Sequence, residues 1–387
     1  MSLWWAKKED LDDDQIHLIE KLALRQNFLV LGPPGSGKTN ILLRRAQFVR
    51  GQEMPNVLVL TFTRALTEFV KTGCLDAAGR EIFPAECITT FESWIRWLYT
   101  EHNTPIPDDP DFDLRKRKIA IGALGFRAQG RIPQFDSLFI DEAQDLFSEE
   151  VELIKQWSRV LFFVGDDRQQ IYPNADGLEV VRNMIPEANR RALKFHYRLS
   201  PEICRMADRI LIPQEGNSLL ATQHYKGDKA LEPKIHKPSS KDIQVEEVSR
   251  KLKDQLRVYA DLIKAGDRLG VVVARKEDRD SVFDYFEKDK LLKGKSKVLR
   301  ARDENENTYD PTLNPEISIC ILTIQACKGL EFRALHWLFS DDLSKYHTTE
   351  HYYTVITRAK TSLDIYCTEK LPQELARAHS DSGGSMW

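Results

Sequence analysis

The residues Gly32-Pro33-Pro34-Gly35-Ser36-Gly37-Lys38-Thr39 carry the spacing G-x-x-x-x-G-K-[ST]. Glycines at these places let backbone N–H groups converge on phosphate oxygens at the positive end of a helix, with Lys38 reaching the β- and γ-phosphates and Thr39 offering a hydroxyl to Mg²⁺. Gly32, Gly35, Ser36, Gly37, Lys38 and Thr39 are therefore candidate nucleotide-binding residues. Further on, Ser137-Leu138-Phe139-Ile140 runs into Asp141-Glu142-Ala143-Gln144-Asp145. In this arrangement Asp141 can hold Mg²⁺ with Thr39, while Glu142 is placed to orient and deprotonate an attacking water. A third segment, Gly165-Asp166-Asp167-Arg168-Gln169-Gln170-Ile171-Tyr172, offers Gln169, whose amide both donates and accepts and can sense a γ-phosphate or its water. Each segment alone has a plain reading as a turn or as helix-dipole compensation. Their order along one chain favours phosphate chemistry with ATP and Mg²⁺.

Such loops need a sheet whose strand ends present them together. Short apolar runs at Phe28–Leu31, Val57–Leu60, Ser137–Ile140, Val160–Val164, Leu269–Val273, Ile317–Leu322 and Leu363–Cys367 alternate with longer amphipathic stretches. That pattern predicts an α/β protein with buried, mostly parallel strands flanked by helices, in two clusters. A chain of 387 residues, 42% of them hydrophobic, has room for two or three domains with proper cores, which excludes a single small binding module. Lys and Arg number 56 against 59 Asp and Glu, so a polyanion partner must meet a local basic surface. No apolar run is long enough for a bilayer span, and MSLWWAKKED lacks a leader's apolar stretch, so the expectation is a soluble, cytoplasmic protein with no membrane partner. Six scattered cysteines without a C-x-x-C pair suit reduced, structural thiols.

The polar segment 221–242 reads as an irregular linker, and 291–315 as a loop region. The stretch 102–113 reads as a loop followed by the basic run Arg115–Lys118, and the tail 373–387 as disordered. Trp94, Trp97, Trp157 and Trp337 lie in apolar patterns that suit packing.

From about residue 11 to residue 360 the order of segments resembles superfamily 1 helicases of the UvrD/Rep-like branch. GPPGSGKT, DEAQD and VGDDRQQIY resemble that family's motifs I, II and III. Leu11–Gln15 resembles the Q motif, Leu60–Arg64 motif Ia and Thr89–Trp94 motif Ib, while His196–Ser200, Thr323–Phe332 and Tyr353–Lys360 resemble motifs IV, V and VI. The resemblance implies two RecA-like P-loop lobes: 1–197 binding ATP with a short helical insertion about 96–135, and 198–372 carrying an arginine finger.

By the same resemblance Gln15 reads adenine, Tyr197 stacks on it, Glu331 contacts the ribose, and Arg198 and Arg358 approach the γ-phosphate. Phe62 and Tyr172 are implied base-stacking residues, and Thr63, Arg64, Thr90, Thr323 and Lys328 phosphate contacts. The implied activity is an ATP hydrolase that translocates along or unwinds single-stranded DNA, 3′-to-5′, with RNA left open because no residue here reads the 2′-hydroxyl. Several positions depart from the pattern. Asn174 stands where a stacking aromatic is usual, Glu92 where a His is common, and Gln325 and Cys327 where His and Ser are usual. The chain also lacks room for the large inserted subdomains. The alternative is thus a nucleotide-switch ATPase subunit of a repair, recombination or defence complex, with a protein partner supplying what is missing.

Overall fold

In the computed structural model of the chain, residues 5, 8–52, 54–76, 78–213, 217–227, 231–301, 312, 314, 316–343 and 347–380 are described. The chain divides into two compact units, residues 6–33 with 37–194, and residues 195–387 with 1–5 and 34–36.

The first unit is built on β1 (Phe28–Leu31), β2 (Val57–Thr61), β3 (Ile88–Thr90), β4 (Ser137–Ile140), β5 (Leu161–Gly165) and β6 (Arg190–Ala192). These form one sheet in the order β3-β2-β4-β5-β1-β6, parallel at every pairing. Strands such as Val57–Thr61 are buried along their whole length, as a parallel sheet covered on both faces requires. Leu29, Ile140, Phe163 and Trp157 meet in its core with helix residues Trp94, Leu98 and Val151.

The second unit repeats the plan with β7 (Lys234–His236), β8 (Leu269–Val273), β9 (Ser296–Leu299), β10 (Ile319–Thr323), β11 (Phe332–Trp337) and β12 (Ala359–Tyr366). The order is β7-β12-β11-β8-β10-β9, again parallel throughout. Both units thus have the expected architecture of a RecA-like α/β lobe.

Several helices start where the sequence supplies a cap. Thr63, Thr90, Asp111, Ser200 and Ser240 each accept a backbone N–H of the following helix. The 96–135 region holds the end of the helix Phe91–Glu101 and the helix Phe112–Ala123.

Four sequence expectations need correction. The 221–242 segment is not irregular throughout, because β7 lies within it and pairs with β12. The 291–315 region likewise contains β9, paired with β10, while residues 302–311, 313 and 315 lie outside the described residues. The tail is helical over Gln373–Ser380, since Leu375 and Ala378, three residues apart, are both fully buried; residues 381–387 lie outside the described residues. Trp94, Trp157 and Trp337 pack as expected, but Trp97 is 40% exposed. All six cysteines are free thiols. No helix among the described residues is long and apolar enough to cross a membrane.

Candidate functional site

Strands β4, β5 and β1 are successive neighbours, so their C-terminal ends deliver three loops side by side: Asp141–Glu142, Asp166–Gln169 and the phosphate loop. The loop is tied to its neighbour where Gly32 N–H donates to the Gly165 carbonyl at 3.2 Å. Gly35 at φ +79° and Gly37 at φ +85° take the left-handed conformation that turns the loop into the helix Lys38–Arg50, a conformation costly for any residue with a Cβ. Lys38 Nζ folds back to donate to the carbonyls of Gly32 (2.7 Å) and Pro33 (2.9 Å), and lies 3.9 Å from Asp166 Oδ2.

Thr39 Oγ1 donates to Asp141 Oδ2 at 2.9 Å. A hydroxyl and a carboxylate this close fit one hard dication that takes few protein ligands and fills its shell with water and phosphate oxygens. Asp141 and Glu142 are 4% and 6% exposed. Burial, and then the adjacent Glu142 charge, push the Asp141 carboxyl well above its ordinary range, against the pull of Thr39 and Lys38. Burial also raises Asp166, opposed by Lys38, the Arg168 N–H and Gln169. The site therefore holds more carboxylate than its one ammonium can balance, which is the electrostatics a metal site needs.

Two residues to which the sequence analysis gave no role lie at this site. Asp166 accepts from Gln169 Nε2 at 2.7 Å, and Gln144 bridges Glu142 Oε2 (2.5 Å) to the Asp166 N–H (3.0 Å). Both stand inside the segments already singled out, but only the parallel pairing of β4 with β5 reveals that they meet. Gln15 is 5% exposed and forms a capping box with Asp12, accepting from Asp12 N–H at 3.2 Å. Its Nε2 lies against the phosphate loop, 3.0 Å from where a Cβ on Gly37 would stand.

The second unit gathers its motif residues into a charge network. Arg198 Nη1 pairs with Glu331 Oε2 at 2.7 Å, and Arg198 Nη2 donates to the Thr357 carbonyl at 3.0 Å. Lys360 Nζ bridges Glu331 and Asp267, each at 2.9 Å, and Arg333 closes on Asp267 at 2.7 Å. Burial would raise the Glu331 carboxyl, but Lys360 and Arg198 outweigh it and bring it down to about 2. Glu331, the implied ribose contact, is thus engaged by two cations. Arg358 is 3% exposed and donates to the carbonyls of Thr354 (3.0 Å) and Leu330 (3.3 Å) and to Thr357 Oγ1 (3.3 Å). Tyr197 N–H donates to the Gly35 carbonyl at 3.2 Å within this unit, and its ring lies 5.9 Å from His224.

The nucleic-acid candidates separate into two kinds. Phe62 and Tyr172 are half-buried neighbours with ring centroids 5.7 Å apart, and Phe112 from the inserted helix joins them at 5.1 Å from Tyr172. Thr63 and Thr90 are buried helix caps whose hydroxyls accept from Leu66 N–H (3.1 Å) and Ser93 N–H (2.9 Å), so each marks a helix N-terminus at a strand end. Arg64 begins the helix that Thr63 caps and is half-buried. In the second unit Thr323 ends β10 at 7% exposure, and Lys328 is fully buried. Cys327 donates to the Ile324 carbonyl at 3.0 Å, with burial pushing its thiol up to about 12. Phe112 carried no sequence signal beyond its place before a basic run.

Residues 15–175 match the family model described as an AAA domain. The PRRSV helicase is similar over 89% of this chain at 13% identity and a TM-score of 0.44, and the chain spans 53% of that protein's length. The C-terminal domain of a possible DNA helicase from Lactobacillus plantarum WCFS1 is similar over 47% of this chain and 93% of its own, at 19% identity and a TM-score of 0.31. No curated protein matches the chain. The family match spans the phosphate loop, the Thr39–Asp141 pair and the Asp166–Gln169 turn.

Proposed function

We propose that this chain is an ATP- and Mg²⁺-dependent motor of UvrD/Rep type that moves along single-stranded DNA, 3′-to-5′. The observation that carries the reading is the Thr39–Asp141 pair at 2.9 Å beside the phosphate loop, with Glu142 next to it. Mg²⁺ held there supplies positive charge to the β- and γ-phosphate oxygens. Lys38 leaves its two carbonyls for those phosphates, and Glu142 takes the proton of the attacking water. Arg198, whose Nε is buried without a hydrogen-bond partner among the described residues, would give up Glu331 and the Thr357 carbonyl, and Arg358 three acceptors, so Arg198 is the better-supported arginine finger. Phe62 and Tyr172 offer ring faces to bases.

ATP hydrolysis with and without oligo-dT at low salt tests this. Several-fold stimulation is expected, and a rate indifferent to oligo-dT removes the motor. Tailed duplexes of either polarity report direction, and competition by RNA reports the track.

One observation favours a nucleotide-switch subunit. Asn174 Nδ2 is taken by Asp113 at 2.7 Å, and Arg115, Lys116, Arg117 and Lys118 are each paired with a carboxylate of this chain. Hydrolysis appearing only with a co-purifying partner supports that reading.

A further inference from the structure

A carboxylate that activates water has to be aimed, and Glu142 projects from a backbone at φ +53° whose N–H donates to Asp141 Oδ1 at 2.9 Å. Gln144 is fully buried. Its Oε1 accepts from the Asp166 backbone N–H at 3.0 Å, and its Nε2 donates to Glu142 Oε2 at 2.5 Å. The amide has one acceptable orientation. Turned over, it would set an NH₂ against an N–H and a carbonyl oxygen against a carboxylate. Its anchor is rigid, because the Asp166 N–H follows the last residue of β5, and the Asp166 side chain is held by Gln169 and approached by Lys38. Gly165 makes room for the arrangement, since a Cβ there would stand 2.8 Å from Gln144 Oε1.

We propose that Gln144 is the positioning residue for the general base: its amide, locked to the end of β5, fixes one oxygen of Glu142 and hence the plane of the carboxylate. The inference rests on the reading of Glu142 as the base. Gln144 acts through Glu142, so its loss should slow the chemical step and leave nucleotide binding alone.

The test is a kcat-against-KM split. In Gln144→Met, which keeps the side chain's length and removes both polar atoms, kcat falls about tenfold or more, while KM for ATP and the affinity for a fluorescent ATP analogue with Mg²⁺ stay within about twofold. Gly165→Ala removes no polar group, pushes on Gln144 Oε1, and gives the same split. If Gln144→Met fails to fold by thermal melting, Gly165→Ala decides alone. Unchanged kcat in the folded variants overturns the inference, as does a parallel loss of kcat and analogue affinity. Glu142→Gln separates the two ideas: if it abolishes hydrolysis while the Gln144 and Gly165 variants stay fast, the positioning role alone fails. If Glu142→Gln still turns over, the base assignment fails and the inference goes with it.

Discussion

Two buried clusters of charge, one in each unit, use the same kinds of side chain and reach opposite electrostatic states. At the ends of β1, β4 and β5, Asp141, Glu142 and Asp166 surround Lys38, and burial raises Asp141 and Asp166 above their ordinary range. In the second unit Arg198, Lys360 and Arg333 surround Glu331 and Asp267, and Glu331 is held down at about 2 although it is buried. The first cluster sets three carboxylates against one ammonium, an arrangement that a bound cation would relieve. The second sets three cations against two carboxylates, which leaves one positive charge to meet an anion. Burial penalises both; the count of nearby countercharges decides the sign.

The largest effects fall on turnover. Glu142→Gln should lower kcat by about 10² to 10⁴ with ATP binding retained, and Lys38→Ala should lose both, as read by phosphate release and nucleotide titration. Glu142→Gln also probes the comparison, because it removes one of three crowded carboxylates. The nucleotide-free variant should be more stable than the unsubstituted protein by on the order of 1 kcal/mol, and so melt higher. A lower melting temperature would mean that the cluster is already balanced.

Glu331→Gln is the mirror experiment, with the opposite sign. It leaves Arg198 and Lys360 facing one another without their shared carboxylate, and should cost about 2–3 kcal/mol in urea unfolding. The pH dependence follows from a folded value depressed from 4.5 to about 2. The stabilisation is fully present above the unfolded value and is lost as pH falls through the folded one. The two unfolding midpoints should therefore stand apart above about 4.5 and converge toward pH 2.

The contrast between clusters was legible in the sequence only on one side. The phosphate loop, Asp141, Glu142 and Gln169 stand out in the sequence because their residue types and local spacing suit phosphate chemistry. The central strands β1, β2, β4, β5, β8 and β10 declare themselves because full burial demands unbroken apolar runs. What stayed hidden was short, polar or long-range. Strands β6, Arg190–Ala192, and β7, Lys234–His236, lie at sheet edges where one side needs no partner, so charged residues are tolerated there. Strand β11 is central but carries Arg333 and His336, whose partners Asp267 and Gln255 are remote in sequence. Gln144 and Asp166 sat in plain view within known segments, but a hydrogen bond across 22 residues cannot be read from spacing.

A second ion cluster in the C-terminal unit separates stability from activity. Asp364 Oδ1 accepts from Lys251 and meets His236, each at 2.7 Å, and His336 Nδ1 lies 3.8 Å from Oδ2. Burial opposes the Asp364 charge, but His236, His336 and Lys251 outweigh it and hold the carboxyl far below its ordinary range. Asp364→Asn should cost about 2 kcal/mol at neutral pH, with the difference fading as pH falls below 3.8, and should leave kcat unchanged. A fall in kcat at constant stability would make this cluster part of the phosphate chemistry, and the comparison would then need three regions.

The smallest effect concerns the inserted helix. Phe112 touches Tyr172 at 5.1 Å, Lys116 Nζ sits 5.3 Å over the Tyr172 ring, and Asp113 holds Asn174. Lys116 is at the same time 3.2 Å from the nearly buried Glu150, so its charge is already answered. The helix therefore braces Tyr172 from behind more than it offers a surface to a strand. On that account Tyr172→Ala should weaken oligo-dT binding by about 1–3 kcal/mol, the range for one stacked base, and Phe112→Ala by a fraction of that. Fluorescence anisotropy on both variants decides it. If Phe112→Ala loses as much as Tyr172→Ala while melting normally, then Phe112 itself carries a base, and surplus positive charge is not what draws the strand to this face.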